Sequence, residues 1–128
     1  MKEKLQTLLA NSYSPYSHFR VAAIAIMKDG REFSGVNVEN ASYGATICAE
    51  RSAIVSAITA GYQKGDFIAL YIMVDSPRIS TCCFACRQVI TEFFAPQSEI
   101  ICMNQTGDEK TYQVRDLCPL PFDEGDLQ

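Results

Sequence analysis

Four side chains in two separated stretches could do chemistry together. Thr46-Ile47-Cys48-Ala49-Glu50-Arg51 carries a cysteine and, two residues on, a glutamate; Cys82-Cys83-Phe84-Ala85-Cys86-Arg87 carries three more thiols. Thiolates are soft donors that suit Zn²⁺, and a set of three, Cys48, Cys83 and Cys86, leaves the fourth corner of a tetrahedral ion open to water. A carboxylate beside the first donor can move the protons that attack by such a water requires, the role this reading gives to Glu50. The layout is that of a hydrolytic centre with one zinc per chain, and it reads the chain as an enzyme. Two other readings use the same thiols. With Cys82 as a fourth donor the site would be a closed, non-catalytic Cys₄ zinc module. Cys83 and Cys86 alone would serve a thiol redox protein. Glu50 argues against both, since neither a closed site nor a dithiol pair needs a general base at that position.

Two thiol segments 35 residues apart must be brought together by regular structure, and the pattern of the chain says how. Apolar residues at 5, 8 and 9 predict a short helix from Lys2 to Leu9, ended by Asn11-Ser12 and Pro15. Phe19 to Met27 is too continuously apolar for a half-exposed strand and reads as a buried one. Asp29-Gly30 then signals a hairpin, with Arg31 to Val38 as the returning strand. A second helix is expected from about Cys48 to Ala60, stopped by Gly61. Its small residues Ala49, Ser52, Ala53, Ser56, Ala57 and Ala60 form a stripe that permits close approach to a sheet or to another helix. Phe67 to Val74 is a third strand. Cys86, Val89, Ile90, Phe93 and Phe94 recur at helical spacing and predict a third helix ended by Pro96. Glu99 to Met103 is a fourth strand, and a short strand or helix follows around Lys110 to Leu117. Both thiol segments therefore stand at helix starts, where unpaired N–H groups and the positive dipole end favour a thiolate. The order β-β-α-β-α-β argues for a three-layer α/β/α fold around a mixed sheet of about five strands.

Composition bounds the partners. The 128 residues suit one domain, 1–128, and neither repeats nor linkers interrupt them. Eleven Lys and Arg against fifteen Asp and Glu give a net charge of −4, and no basic run could track a phosphate backbone, which disfavours a nucleic-acid substrate. The first residues carry charges and no long apolar stretch, so neither a secretory leader nor a membrane span is expected. Six cysteines without a leader point to a reducing compartment, where thiols bind metal or stay free; the expected location is the cytoplasm.

With these motifs in hand, the chain resembles the small zinc-dependent cytidine deaminases. The resemblance rests on Tyr13-Ser14-Pro15-Tyr16-Ser17, on Gly35-Val36-Asn37-Val38-Glu39-Asn40-Ala41-Ser42-Tyr43-Gly44, on Cys48-Ala49-Glu50-Arg51 and on Cys83 to Gln88, four ordered segments over nearly the whole length. It implies hydrolytic deamination of free cytidine or deoxycytidine in pyrimidine salvage, by a zinc-bound hydroxide with Glu50 as proton shuttle. It also implies a homotetramer. Phe19 matches the ring that packs on the pyrimidine, Asn37 and Glu39 the pair that binds the ribose hydroxyls, and the backbone near Ala49 and Cys83 the groups that read the base edge. Tyr43 and Phe122 match residues that approach a neighbouring subunit's site. Arg51 and Arg87 adjoin ligands, and one of them is expected to hydrogen-bond a thiolate, because three thiolates leave the ion too electron-rich to acidify water well. An aminonucleoside such as blasticidin is the alternative substrate. It shares the zinc segments, whereas the stretch from Asn37 to Gly44 and the Pro-Phe tail look more like the cytidine enzymes.

Three positions depart from the family's usual Pro-Cys-Gly-x-Cys and Val-Gly patterns: Cys82, Phe84 and Ala22. Phe84 puts bulk where the family has no side chain, which raises the question of pocket shape near the metal. Plainer roles stand beside the functional ones. Phe19 could be core, Asn37 and Glu39 a solvated strand end, Tyr43 and Phe122 local packing. His18 reads as a surface residue and Cys102 as a small buried hydrophobe.

Overall fold

A computed structural model describes residues 1–128. Its centre is a five-stranded sheet ordered β2 (Glu32–Val36), β1 (Val21–Met27), β3 (Phe67–Val74), β4 (Phe94–Met103), β5 (Glu109–Gln113). β1 and β2 form the hairpin that Asp29-Gly30 predicts, with Gly30 at φ 88 and Ala25 opposite Phe33. β3 runs antiparallel to β1 and parallel to β4, and β5 closes the far edge antiparallel to β4. The sheet is thus mixed, with one parallel pair, and that pair is joined by α3 (Phe84–Phe93).

The continuous apolar run of β1 is explained by two covered faces. Val21, Ala23, Ala25 and Met27 join a core with α2 (Ala49–Thr59) and α3. Ala22 and Ile24 turn the other way, onto Leu5 and Leu9 of α1 (Lys2–Leu9). A final turn, α4 (Val114–Leu117), packs Val114 and Leu117 into the larger core. The architecture is α/β/α, as the element order implies. The small-residue stripe on α2 goes to the sheet. Ala49, Ala53 and Ala57 are fully buried, and the backbone of Gly35 in β2 lies so close that a Cβ there would stand 2.4 Å from the Ala53 nitrogen and 2.6 Å from the Ala49 oxygen. The rest of the stripe is more open, with Ser52 half-buried and Ser56 and Ala60 exposed.

Most boundaries shift by one or two residues from the sequence expectation, with β1 starting at Val21, β2 spanning Glu32–Val36 and α3 spanning Phe84–Phe93, and two segments differ by more. The ambiguous segment after Gly107 is both a strand and a helix, β5 followed at once by α4. β4 begins at Phe94 rather than Glu99, because Phe94 already pairs with Phe67 before the register slips ahead of the Ala69–Glu99 pair. Pro96 falls within that slip, where its missing N–H is tolerated.

Candidate active site

Cys48 is the residue that caps α2, and Cys83 the residue that caps α3; Cys86 lies in the first turn of α3. The two helices start at the same place, so both positive ends converge on the thiols. The three Sγ atoms lie within 4.8 Å of one another, with Cys48 and Cys83 3.7 Å apart. Tetrahedral zinc with Zn–S bonds of about 2.3 Å sets its donors about 3.8 Å apart, so the donor set and its spacing fit that ion. Cys82 is not part of the group. It is buried in the core among residues of the sheet and helices, and burial pushes its thiol pKa up, against metal binding. A Cys₄ centre is therefore not what these residues build.

The electrostatics of the cluster follow from who donates to whom. The neighbouring Cys86 thiol, with Arg51 and Cys83 alongside, brings the Cys48 pKa down to about 5 against the opposing effect of burial. Cys86 is pushed up by the neighbouring Cys48, by burial and by Glu50. An Nη of Arg51 donates to the Cys48 sulfur at 3.4 Å. Arg87, the other arginine expected at a thiolate, turns elsewhere. It donates to the Cys82 carbonyl at 2.8 Å, the Leu117 carbonyl at 2.9 Å and the Thr81 hydroxyl at 2.9 Å, and so braces the loop that carries Cys83. Phe84 lies 4.4 Å from the Arg87 guanidinium, is 74% exposed and does not line the cavity beside the thiols. The bulk that sets it apart from the family motif is spent outside the pocket.

A cavity of about 270 Å³ opens onto the cluster. Glu50 is in its wall, only 5% exposed, and burial raises its carboxyl above the ordinary range, with the Cys48 thiolate adding to the effect. Phe19, Asn37, Glu39 and Ala49 all line the same cavity. Tyr43 does not line it. It stands at a second hollow lined also by Tyr16, Ser17, Glu39, Asn40 and Thr46, three of which belong to both, with its ring edge-on to Tyr16 at 5.9 Å. Phe122 is outside both hollows within its own chain, 56% exposed, its carbonyl accepting from Gln88 at 2.8 Å.

Asn37 and Glu39 have a second occupation that their place at a strand end does not suggest. The Asn37 Oδ1 accepts from the Val21 N–H at 2.9 Å and from the Ser12 hydroxyl, and its Nδ2 donates to the Phe19 carbonyl at 2.7 Å. The Glu39 Oε1 accepts from the Tyr16 and Ser17 N–H groups at 3.0 and 3.1 Å, and its Oε2 from the Ser17 hydroxyl. Both side chains thereby hold the loop that ends in Phe19. That loop turns through His18 at φ 58, a left-handed conformation that disfavours side chains and that is fixed here by the His18 N–H donating to the Ser14 carbonyl at 3.0 Å.

Several wall residues escape the sequence reading. Ile72 and Val74 alternate like any buried strand, so nothing marks them as lining a cavity. Ser80 and Thr81 precede the thiol motif without a pattern of their own. Ser17, by contrast, lies inside a segment that carries the family resemblance, and its hydroxyl was the available signal.

Comparison with known proteins agrees with this geometry. Residues 1–103 match the family model for the cytidine and deoxycytidylate deaminase zinc-binding region. A cytidine deaminase of Halalkalibacterium halodurans is 39% identical over 99% of this chain and 94% of its own length. One from Mycoplasma genitalium is 35% identical over 90% of this chain and 87% of its own. The crystal structure of cytidine deaminase from Burkholderia pseudomallei superposes with a TM-score of 0.89 at 41% identity, covering 94% of each chain.

Proposed function

The chain belongs to the cytidine deaminase family, and from that premise we propose that it hydrolyses free cytidine and deoxycytidine to uridine and deoxyuridine, releasing ammonia. One observation carries the reading: Cys48 and Cys83, two of three thiols spaced for zinc, and the buried Glu50 carboxyl share a single cavity with Phe19, Asn37 and Glu39. Cys48, Cys83 and Cys86 would hold the ion, which when bound lowers the pKa of water enough to supply hydroxide near neutrality.

The chain's own groups account for the rest. The Glu50 carboxylate takes the proton of the attacking water and passes it to N3 of the pyrimidine. It later takes the proton of the hydroxyl added at C4 and delivers it to the departing amine as the C4 carbonyl forms, and its raised pKa suits a group that must both accept and donate. Arg51, through its bond to the Cys48 sulfur, draws negative charge from a donor set that three thiolates make electron-rich. Phe19 would stack on the base, the backbone around Ala49 and Cys83 would meet its edge, and Asn37 and Glu39 would bind sugar hydroxyls. After their internal bonds, Asn37 keeps one N–H and Glu39 one lone-pair position for that purpose.

In an assembled homotetramer, Phe122 and Tyr43 would complete a neighbour's site, which accords with their exposure in the isolated chain. Pyrimidine salvage in the cytoplasm is the setting that fits a free nucleoside substrate, and no helix of the chain is long and apolar enough to cross a membrane.

The deciding experiment is an ultraviolet assay of the purified protein with cytidine, deoxycytidine, cytosine and blasticidin in parallel, repeated after zinc chelation. Turnover of both nucleosides, little turnover of the other two, and loss of activity with chelator are expected. Preference for blasticidin, or activity that survives full metal removal, would refute the reading.

A further inference from the structure

Ser17 is held by more of the site than its size suggests. Its N–H and its hydroxyl both go to Glu39, one to each carboxylate oxygen, while the same hydroxyl accepts from the Phe19 N–H at 3.0 Å. The direction of the chain is fixed by the acceptors: the backbone N–H can only donate to the hydroxyl, so the hydroxyl proton is free for the carboxylate. Glu39 is accordingly held below the ordinary carboxylate range, with the Ser17 hydroxyl as the first cause and the Ser17 and Tyr16 N–H groups adding to it.

We infer that Ser17 is a positioning residue for sugar recognition, fixing through its hydroxyl the rotation of the Glu39 carboxylate. This rests on the deaminase reading and deepens it. A carboxylate offers about four lone-pair positions. Here two backbone N–H groups occupy Oε1 and the Ser17 hydroxyl takes one position on Oε2, which leaves a single acceptor position for a substrate hydroxyl. Without the hydroxyl, Oε2 loses its only protein partner and the acceptor is no longer aimed. A charge-assisted bond of this kind contributes enough that its loss is felt as about a tenfold change in an equilibrium. Because the Glu39 Oε1 contacts use backbone donors, they persist when the Ser17 side chain is shortened, so the loop keeps its anchor.

The test compares Ser17→Ala and Ser17→Thr with the parent enzyme on cytidine and on 2′,3′-dideoxycytidine, which has the same base and no sugar hydroxyl on the ring at those positions. Ser17→Ala should lower kcat/KM for cytidine about tenfold, chiefly through KM, and leave the dideoxy substrate within about twofold. Ser17→Thr keeps a hydroxyl and should restore most of the loss. Melting temperatures of the three proteins report whether folding is intact. An equal loss on both substrates would mean that Ser17 merely supports the fold, and no loss on cytidine would mean that Glu39 needs no help; either overturns the inference alone. A parent enzyme that deaminates both substrates equally removes the sugar role of Glu39 and this inference with it, while the deaminase reading stands. A parent enzyme inactive on cytidine overturns both.

Discussion

At the scale of single residues, the two arginines beside the thiols separate two kinds of contribution. Arg51 reaches a sulfur and Arg87 reaches only carbonyls and a hydroxyl. Arg51→Gln should therefore weaken zinc retention and reduce turnover by about ten- to a hundredfold, the range seen when partners of metal ligands are removed. Arg87→Gln should act through stability, lowering the unfolding midpoint while the remaining folded protein keeps its metal; zinc analysis alongside denaturation distinguishes them. Glu50→Gln should hold a full complement of zinc and fold, yet lose nearly all turnover. The same variant carries a pH signature. Burial raises the folded pKa of Glu50, so folding favours its protonated form, and the penalty for ionising it appears as pH rises above the unfolded value of roughly 4.3. Stripped of metal, Glu50→Gln should melt several degrees above the parent at pH 8, and the two should converge toward about pH 4. Residue types were readable in advance where the chemistry demands them: thiols, a carboxyl, an amide and a ring. Which arginine would face sulfur was not, because Arg51 and Arg87 each follow a thiol segment and only the path of Leu117 and Thr81 past Arg87 decides between them.

Among the elements, Gly35 and the helix it touches set the tolerance of the site. The close approach of β2 to α2 leaves no volume for a methyl group beside Ala49 and Ala53, and Ala49 directly follows the first thiol. Gly35→Ala should cost about 1–3 kcal/mol by overpacking and shift the start of α2, so that zinc affinity falls together with the urea midpoint. Gly44→Ala, with nothing within 4 Å of the added carbon, should leave both unchanged and serves as the control. The periodicities that predict the helices and strands describe how each element meets its neighbours, and they recover β3 over its full length, Phe67–Val74. They fail where one residue serves two elements. Phe94 continues the apolar period of α3 and yet is the first residue of β4, because pairing with Phe67 wins over one further helical turn that Pro96 would soon end. Asn37 and Glu39 could be placed at a strand end, but their grip on the Tyr13–Phe19 loop depends on Tyr13 bridging beside Val38, a contact between distant residues that no local pattern encodes.

For the molecule as a whole, assembly decides whether the exposed tail has work to do. Light scattering should give four copies per particle, and Phe122→Ala should raise the KM for cytidine several-fold while each subunit keeps its fold and zinc. A tail whose removal leaves KM untouched would return Phe122 to local packing. The order of the strands is open to inference from alternation and turn chemistry, whereas the meeting of Cys48 with Cys83 depends on the chain leaving β2 and β3 at the same end of the sheet. That meeting has a mechanical side. An ion gripping both helix starts ties a loop of 35 intervening links, and cross-links of that kind act largely by restraining the unfolded chain. A chelator should then behave toward this protein much as heat does: protease nicking of the stripped chain would begin at the freed ends of α2 and α3, registering the loss of the clasp even with no nucleoside present.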